Sequence, residues 1–142
     1  MCLINRVIMK SYDDKRTHIA YWVNIASDDW KRKELLFNAN DYVYCLYLAH
    51  QTLEKLAKAN WVKYHEENIP PKVHNIVWLL EESGIDLGEN IMKFLEKFNK
   101  FQLSGRYPDY TNKIYKMCTK EYTCDQLEKI EEVRTCLQKM LQ

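Results

Sequence analysis

Five polar side chains that could bind or position a phosphate or a nucleobase recur at helical spacing: His50, Gln51, Glu54, Lys55 and Lys58. At 100° per residue they share an arc of about 140° on one helix. Imidazole, amide, carboxylate and ammonium groups together offer both donors and acceptors to such a ligand. Two interpretations are open: a functional groove, or a solvated surface stabilised by a Glu54–Lys58 pair four residues apart.

A second candidate lies in the stretch GRYPDY, residues 105–110. Arg106 follows the predicted end of a helix, where a guanidinium can hold a phosphate through two parallel hydrogen bonds. Alternatively, Arg106 bonds the last carbonyls of that helix or pairs with Asp109. A turn role is favoured for Asp109. A capping or packing role is favoured for His74, which opens another predicted helix.

The cysteines and histidines favour neither a disulfide framework nor a metal site. The five cysteines are odd in number and contain no CxxC motif, which predicts a reducing, cytoplasmic environment. The four histidines have no ligand spacing with them or with one another. No apolar run approaches the roughly 20 residues of a membrane span, and the N-terminus lacks a signal-peptide core. We therefore expect no metal, no cofactor and no membrane association.

Composition predicts long helices in one domain. The chain has 142 residues, with only 3 Gly and 3 Pro, so few turns interrupt it. Its net charge is +1, from 21 basic and 20 acidic residues. That balance argues against a strongly electrostatic nucleic-acid or membrane binder, although a local basic patch is compatible with it.

The elements that must position these candidates begin with two long helices. Ile19, Trp22, Val23 and Ala26 recur at helical spacing, which predicts a first helix over residues 13–37. A central helix is predicted over residues 42–65. Asn40 is the expected N-cap between them, and so short a link makes the two helices antiparallel neighbours.

Three further segments complete the pattern. A short helix, started by Pro71 and ended at Gly84, is predicted over residues 72–83. A fourth helix is predicted over residues 86–103, closed by Gly105. Residues 110–122 are either a structured loop or a short helix around residues 113–118. A last helix is predicted from Thr123, whose hydroxyl and the Gln126 amide match a capping box. The sequence thus predicts that residues 1–142 form one all-α, up-and-down bundle of four long helices plus one short helix.

Four motifs in order give a resemblance that covers nearly the whole chain. They are Trp22, Ala26 and Asp29 in the first helix, HQTLEKLAK at residues 50–58, KVHNIVWLL at residues 72–80, and GRYPDY. Together they resemble the HEPN domain, the higher eukaryotes and prokaryotes nucleotide-binding family. The resemblance implies a helical domain that commonly dimerises. Glu54 and Lys55 match a pair of residues that recurs in that family. The pair is either an internal salt bridge that stabilises the bundle or part of a ligand site.

The resemblance also implies alternative activities. Many family members pair with a small nucleotidyltransferase in toxin–antitoxin systems, and many are metal-independent ribonucleases that use an Arg followed by a His after four to six residues. Here Arg106 matches the Arg, but Thr111, Asn112 and Lys113 occupy the positions of the His. Imidazole is the side chain best suited to proton transfer near pH 7, so the nuclease activity is not carried over.

We therefore predict a non-catalytic, dimeric HEPN-like module of the branch that lacks the ribonuclease His. It binds nucleotide or RNA, pairs with a small nucleotidyltransferase, or does both. The alternative is a metal-independent ribonuclease with a rearranged site around Arg106 that uses His50 or His74. No catalytic residue is assigned. The candidate ligand-binding residues are Arg106, Lys55, Lys58, His50, Glu54 and Asp109.

Overall fold

The computed structural model describes residues 14–103 and 108–142, apart from the side chains of residues 103 and 108–111. Within this part of the chain every regular element is helical, and the all-α prediction is confirmed. The elements are α1 (Lys15–Asn38), α2 (Tyr42–Tyr64), α3 (Ile76–Glu82), α4 (Glu89–Phe98), a 3-10 helix (Asn99–Leu103), α5 (Pro108–Met117) and α6 (Lys120–Lys139).

Helix α2 is the centre of the fold. Fifteen of its 23 residues are buried, because α1, α3, α5, α6 and the 3-10 helix all pack against it. Among these buried residues, Leu46, Ala49 and Leu53 are completely inaccessible to solvent. A helix buried on most of its circumference acts as the core of a bundle rather than as one of its outer walls.

Helices α1 and α2 run antiparallel, as predicted. Lys15 near the start of α1 reaches the carbonyl of Val62 near the end of α2, and Asp29 lies beside Lys55. The predicted N-cap was wrong by one residue: Asp41 Oδ1 accepts the backbone N–H of Tyr44 at 3.3 Å. Asn40 instead makes the reversal with a φ of +62°, a left-handed conformation that Asn tolerates better than most residues.

Helix α3 is shorter than predicted and begins at Ile76, so Pro71 does not start it. Its N-cap is Asn75, whose Oδ1 accepts the backbone N–H of Trp78 at 3.1 Å. The predicted C-terminal Gly84 is confirmed, with a φ of +68°. The Ile85 N–H bonds the Leu80 carbonyl at 2.9 Å, the pattern of a Schellman end. Ile85 is buried beside it.

The remaining helices also differ from prediction at their starts. Helix α4 begins later, after Asp86 accepts the Gly88 N–H at 2.8 Å. The open choice over residues 110–122 resolves as a helix, α5, which runs over Pro108–Met117. The last helix is capped by Thr119 rather than by Thr123. Thr123 is buried inside α6, and its hydroxyl donates to the Thr119 carbonyl at 2.7 Å. Gly105 lies outside the described residues.

Candidate functional site

A buried carboxylate lies at the centre of the polar stripe on α2. Glu54 is 3% exposed. Its Oε1 accepts hydrogen bonds from Lys58 Nζ at 3.0 Å and from His74 Nδ1 at 3.0 Å. Lys58 lies one turn further along α2, whereas His74 comes from the segment just before α3. The carboxylate therefore joins the central helix to the entry of α3 through charge-assisted hydrogen bonds.

The second carboxylate oxygen faces a completely buried imidazole. Glu54 Oε2 lies 3.8 Å from Nδ1 of His50, and Gln51 Nε2 reaches the same oxygen at 3.5 Å. The other ring nitrogen of His50, Nε2, lies 3.1 Å from Asn99 Oδ1. His50, Gln51, Glu54 and Lys58 thus form one connected network with His74 and Asn99, which we call the Glu54 network.

The protonation of His50 follows from the orientation of Asn99. Oδ1 of Asn99 also accepts the backbone N–H of Ile76 at 3.2 Å, and Nδ2 donates to Asn75 Oδ1 at 2.9 Å. An oxygen that accepts a backbone N–H must accept from His50 as well, so Nε2 of His50 carries the proton. Nδ1 then has only its lone pair, and it has no hydrogen-bond partner among the described residues.

Burial lowers the pKa of His50 below its ordinary value. The hydrogen bond with Asn99 and the charge of Glu54 act in the opposite direction but do not overcome it, and His74 adds to the lowering. His50 is therefore neutral at pH 7. An unprotonated Nδ1 could accept a proton, but the side chain is 0% exposed. A substrate therefore cannot reach it in this conformation.

A second ion-pair cluster joins α1 to α2. Asp29 is 4% exposed. It pairs with Lys55 on α2 and with Arg32 one turn along α1 at 3.2 Å. Nearby, Lys58 Nζ lies 5.3 Å from the ring centroid of Trp22, and Ala26 is almost fully buried. The three first-helix residues singled out in the sequence thus lie at the α1–α2 interface.

The structure brings four of the six predicted ligand-binding residues together, and the side chains of the other two lie outside the described residues. His50, Glu54 and Lys58 belong to the Glu54 network, and Lys55 lies beside it on Asp29. Arg106 lies outside the described residues. The backbone of Asp109 is in α5, but its side chain also lies outside them. The prediction that these six share a binding site remains a prediction.

The interpretation of the α2 stripe as a solvated surface was wrong for three of its members. His50, Glu54 and Lys58 are all buried. A helical wheel separates polar from apolar residues, but it does not show whether another element covers the polar side. Here α1, the segment before α3 and the 3-10 helix do so.

Two asparagines were not singled out in the sequence, one in the network and one bonded to it. Asn75 and Asn99 cap α3 and orient His50, yet each is a single asparagine inside a predicted helix. For Asn99 the only signal in the sequence was its place in the polar pair Asn99-Lys100, which lies between two phenylalanines, Phe98 and Phe101, that are both buried.

Within the described residues no group of three or more His, Cys, Asp or Glu side chains is arranged to hold a metal ion. No helix in that part of the chain is long and apolar enough to cross a membrane.

A family model described as HEPN domain matches residues 19–140. This range contains every residue of the Glu54 network and the Arg106 region. No curated protein and no solved structure matches the chain.

Proposed function

Because the chain belongs to the HEPN domain family, we propose that it is a non-catalytic, dimeric HEPN module that binds nucleotide or RNA. In this proposal Arg106 contacts phosphate, with Lys55 and Asp109 as further candidate ligand residues. His50, Glu54 and Lys58 hold α2 in place.

The observation that carries the non-catalytic assignment is the burial of His50. Its imidazole is completely enclosed, and its protonated nitrogen is engaged by Asn99 at 3.1 Å. A general base must come within hydrogen-bonding reach of the proton it removes, and this one is enclosed by protein. His74 is the more accessible imidazole, with 37% of its side chain exposed, but its Nδ1 is bonded to Glu54. No His follows it in the sequence.

Cleavage of a mixed RNA pool tests this assignment. We expect wild type, Arg106→Ala, His50→Ala and His74→Ala to leave the RNA equally intact over hours at pH 7. Activity in the wild type that disappears in Arg106→Ala and in one of the two His variants would establish the alternative, a ribonuclease built around Arg106. Equal trace cleavage by all four would identify a contaminating nuclease.

Binding is tested by thermal unfolding. A nucleotide or short RNA that binds only the folded state raises the melting temperature by linkage. We expect millimolar nucleotide to do so for the wild type and Arg106→Ala to reduce the rise. No shift with any nucleotide or short RNA would contradict the binding function.

We also propose that the protein forms a homodimer. Several large apolar side chains are exposed, and a symmetric dimer would bury the same patch of both subunits. The exposed residues are Tyr21, Leu35, Tyr44, Tyr64, Ile69, Trp78, Tyr115 and Met117. Light scattering should give about twice the mass of 17.2 kDa. A strict monomer at high micromolar concentration would contradict dimerisation.

A small nucleotidyltransferase is the proposed protein partner, as in the toxin–antitoxin pairs of the family. Support for it comes from family membership. Co-expression with any small nucleotidyltransferase encoded by the adjacent gene should give a complex that survives gel filtration. Separate elution of the two proteins would contradict the pairing and leave nucleotide binding unaffected.

A further inference from the structure

A basic groove lies between α4 and α6, and its lining includes Phe98, whose ring centroid lies 5.6 Å from that of His50 in the Glu54 network. Its volume is about 370 Å³, within the size range of small-ligand sites. Four lysines, three aromatic rings and two side-chain amides line it, and no acidic side chain is among the lining residues. They are Asn90, Lys93, Phe94, Lys97, Phe98, Lys100, Tyr122, Gln126 and Lys129. Phe98 forms the floor, since it is only 1% exposed.

The cations of this groove are available to an anion. Within the described chain, Lys97 and Lys100 form no ion pair; Lys100 Nζ contacts Met117 Sδ at 3.8 Å and lies 5.6 Å from the Phe101 ring centroid. Lys93 pairs with Glu89 at 2.8 Å and Lys129 with Asp125 at 3.6 Å, and all four side chains of these pairs are more than half exposed. Exposed ion pairs of this kind contribute little free energy and are screened by salt. A phosphate can therefore compete with the carboxylates for both lysines. In a chain of net charge +1, four lysines around one concavity concentrate positive charge locally.

The aromatic residues give the groove a second property. Phe94 is partly exposed, and Lys129 Nζ lies 5.6 Å from its ring centroid. Its ring is stacked on Phe98 with a centroid distance of 5.6 Å, which holds it in one orientation. Tyr122 is half-buried on the α6 side of the groove, and burial raises the pKa of its hydroxyl. The hydroxyl therefore keeps its proton and remains a hydrogen-bond donor.

Lysines and aromatic faces in one groove suit a ligand that is both flat and anionic. Rings accept any nucleobase by stacking, whereas ammonium groups contact phosphate as point charges. The side-chain amides of Asn90 and Gln126 can donate to and accept from the edge of a base. A carboxylate peptide would use the lysines but leave the rings without a planar partner.

We propose that this groove binds a nucleoside phosphate, with the base against Phe94 and Tyr122 and the phosphate between Lys97 and Lys100. The nucleotide is either free or one residue of a single-stranded RNA. This inference rests on the proposed binding function and gives it a second contact site, whose lining includes no residue of the Glu54 network.

The test compares groove lysines with matched lysines elsewhere. Titrations with ATP and with a labelled ten-nucleotide single-stranded RNA use wild type, Lys97→Gln/Lys100→Gln and the control Lys31→Gln/Lys139→Gln. Both control lysines are exposed and lie outside the groove. We expect the groove variant to bind about tenfold more weakly and with a shallower dependence on salt, because two phosphate contacts are lost. The control should bind like the wild type.

The aromatic contribution is tested at Tyr122. Tyr122→Leu should weaken binding by about fivefold or more, since stacking of one base on a ring contributes that much or more to affinity. Tyr122→Phe should bind nearly as well as the wild type. Inorganic pyrophosphate, which has no base, should bind equally to all three proteins. Circular dichroism melts confirm that each variant is folded before titration.

Several outcomes would overturn the inference. Wild-type affinity in the Lys97→Gln/Lys100→Gln variant, with loss only in Arg106→Ala, would remove the groove and leave the proposed function standing. Binding by neither ATP nor RNA in the wild type would remove both. The groove would be a general anion patch if pyrophosphate or a polyglutamate peptide bound as tightly as ATP and if Tyr122→Leu left the affinity for ATP unchanged. One further outcome supports the inference and names the source of the nucleotide: if the groove binds RNA tightly and does not bind ATP, the nucleotide is part of an RNA strand.

Discussion

Nε2 of His50 lies 3.1 Å from Oδ1 of Asn99, although the two residues are 49 positions apart in the chain. This contact joins the central helix to the 3-10 helix. The same oxygen accepts the backbone N–H of Ile76 at the start of α3, so one amide group connects three elements. It also decides which nitrogen of a buried imidazole carries the proton.

The folded state should lose stability below about pH 6.5 because of His50. In the unfolded chain His50 has its ordinary pKa of about 6.5, whereas burial lowers the pKa in the folded state. The unfolded state therefore binds a proton first as the pH falls. The stabilisation is fully present above the unfolded pKa and is lost as the pH falls toward the folded pKa.

Urea unfolding between pH 8 and pH 5 measures this effect. We expect the free energy of unfolding of the wild type to fall through that window, and the fall to be smaller in His50→Gln, which cannot titrate there. The difference between the two proteins removes every contribution that they share. An identical slope in wild type and His50→Gln would contradict the prediction.

Replacement of Glu54 by Gln should cost about 3–5 kcal/mol of unfolding free energy, because removal of one partner leaves the other charge of a buried pair uncompensated. The buried partner is Lys58, whose Nζ lies 3.0 Å from Glu54. Glu89→Gln is the matched control: its partner Lys93 also lies one turn away, but both side chains are exposed. Denaturant unfolding should show that Glu89→Gln loses at most about 1 kcal/mol of unfolding free energy.

The double variant Glu54→Leu/Lys58→Met sharpens the comparison. An apolar pair of similar volume removes both charges and often restores stability lost in the single variant. We expect the double variant to be more stable than Glu54→Gln. A double variant less stable than the single one would show that the pair is needed for more than mutual neutralisation.

Asn99→Leu should destabilise the fold by about 2–3 kcal/mol, because it leaves the His50 and Ile76 donors without an acceptor. Asn90→Leu, on the exposed side of α4, should change stability by less than about 0.5 kcal/mol. Hydrogen exchange provides a local measurement, since the Ile76 amide should lose protection selectively in Asn99→Leu. Equal protection in wild type and variant would contradict the assigned hydrogen bond.

The described cysteines should differ sharply in reactivity. Burial raises the pKa of Cys45 and of Cys118 to about 11 in each case, whereas Cys124 is exposed. At pH 8 a thiol of pKa 11 is thiolate on the order of one part in a thousand, and both buried groups are also shielded. Timed alkylation with iodoacetamide, followed by mass spectrometry, should label Cys124 first. Labelling of Cys45 at the rate of Cys124 in folded protein would contradict this prediction.

The helices themselves were predictable, but several of their ends were not. Few Gly or Pro residues and apolar positions at helical spacing place α1 and α2 to within about two residues. Two of the errors arose where two capping residues compete: Asn40 with Asp41, and Thr119 with Thr123. Each pair differs locally by only a fraction of a kcal/mol. Packing of the helix that follows therefore decides between them.

The sequence alone determined that the chain is all-α, that α1 and α2 are long antiparallel helices, and which family its motifs match. These follow from residue type and local spacing, which act over a few turns. Only the tertiary structure decided that His50, Glu54 and Lys58 are buried, and that Lys97 and Lys129 line one groove. Burial depends on which elements cover a helix face. Here Asn99 and His74 are brought there by chain reversals far along the sequence, and spacing within one helix contains no information about them.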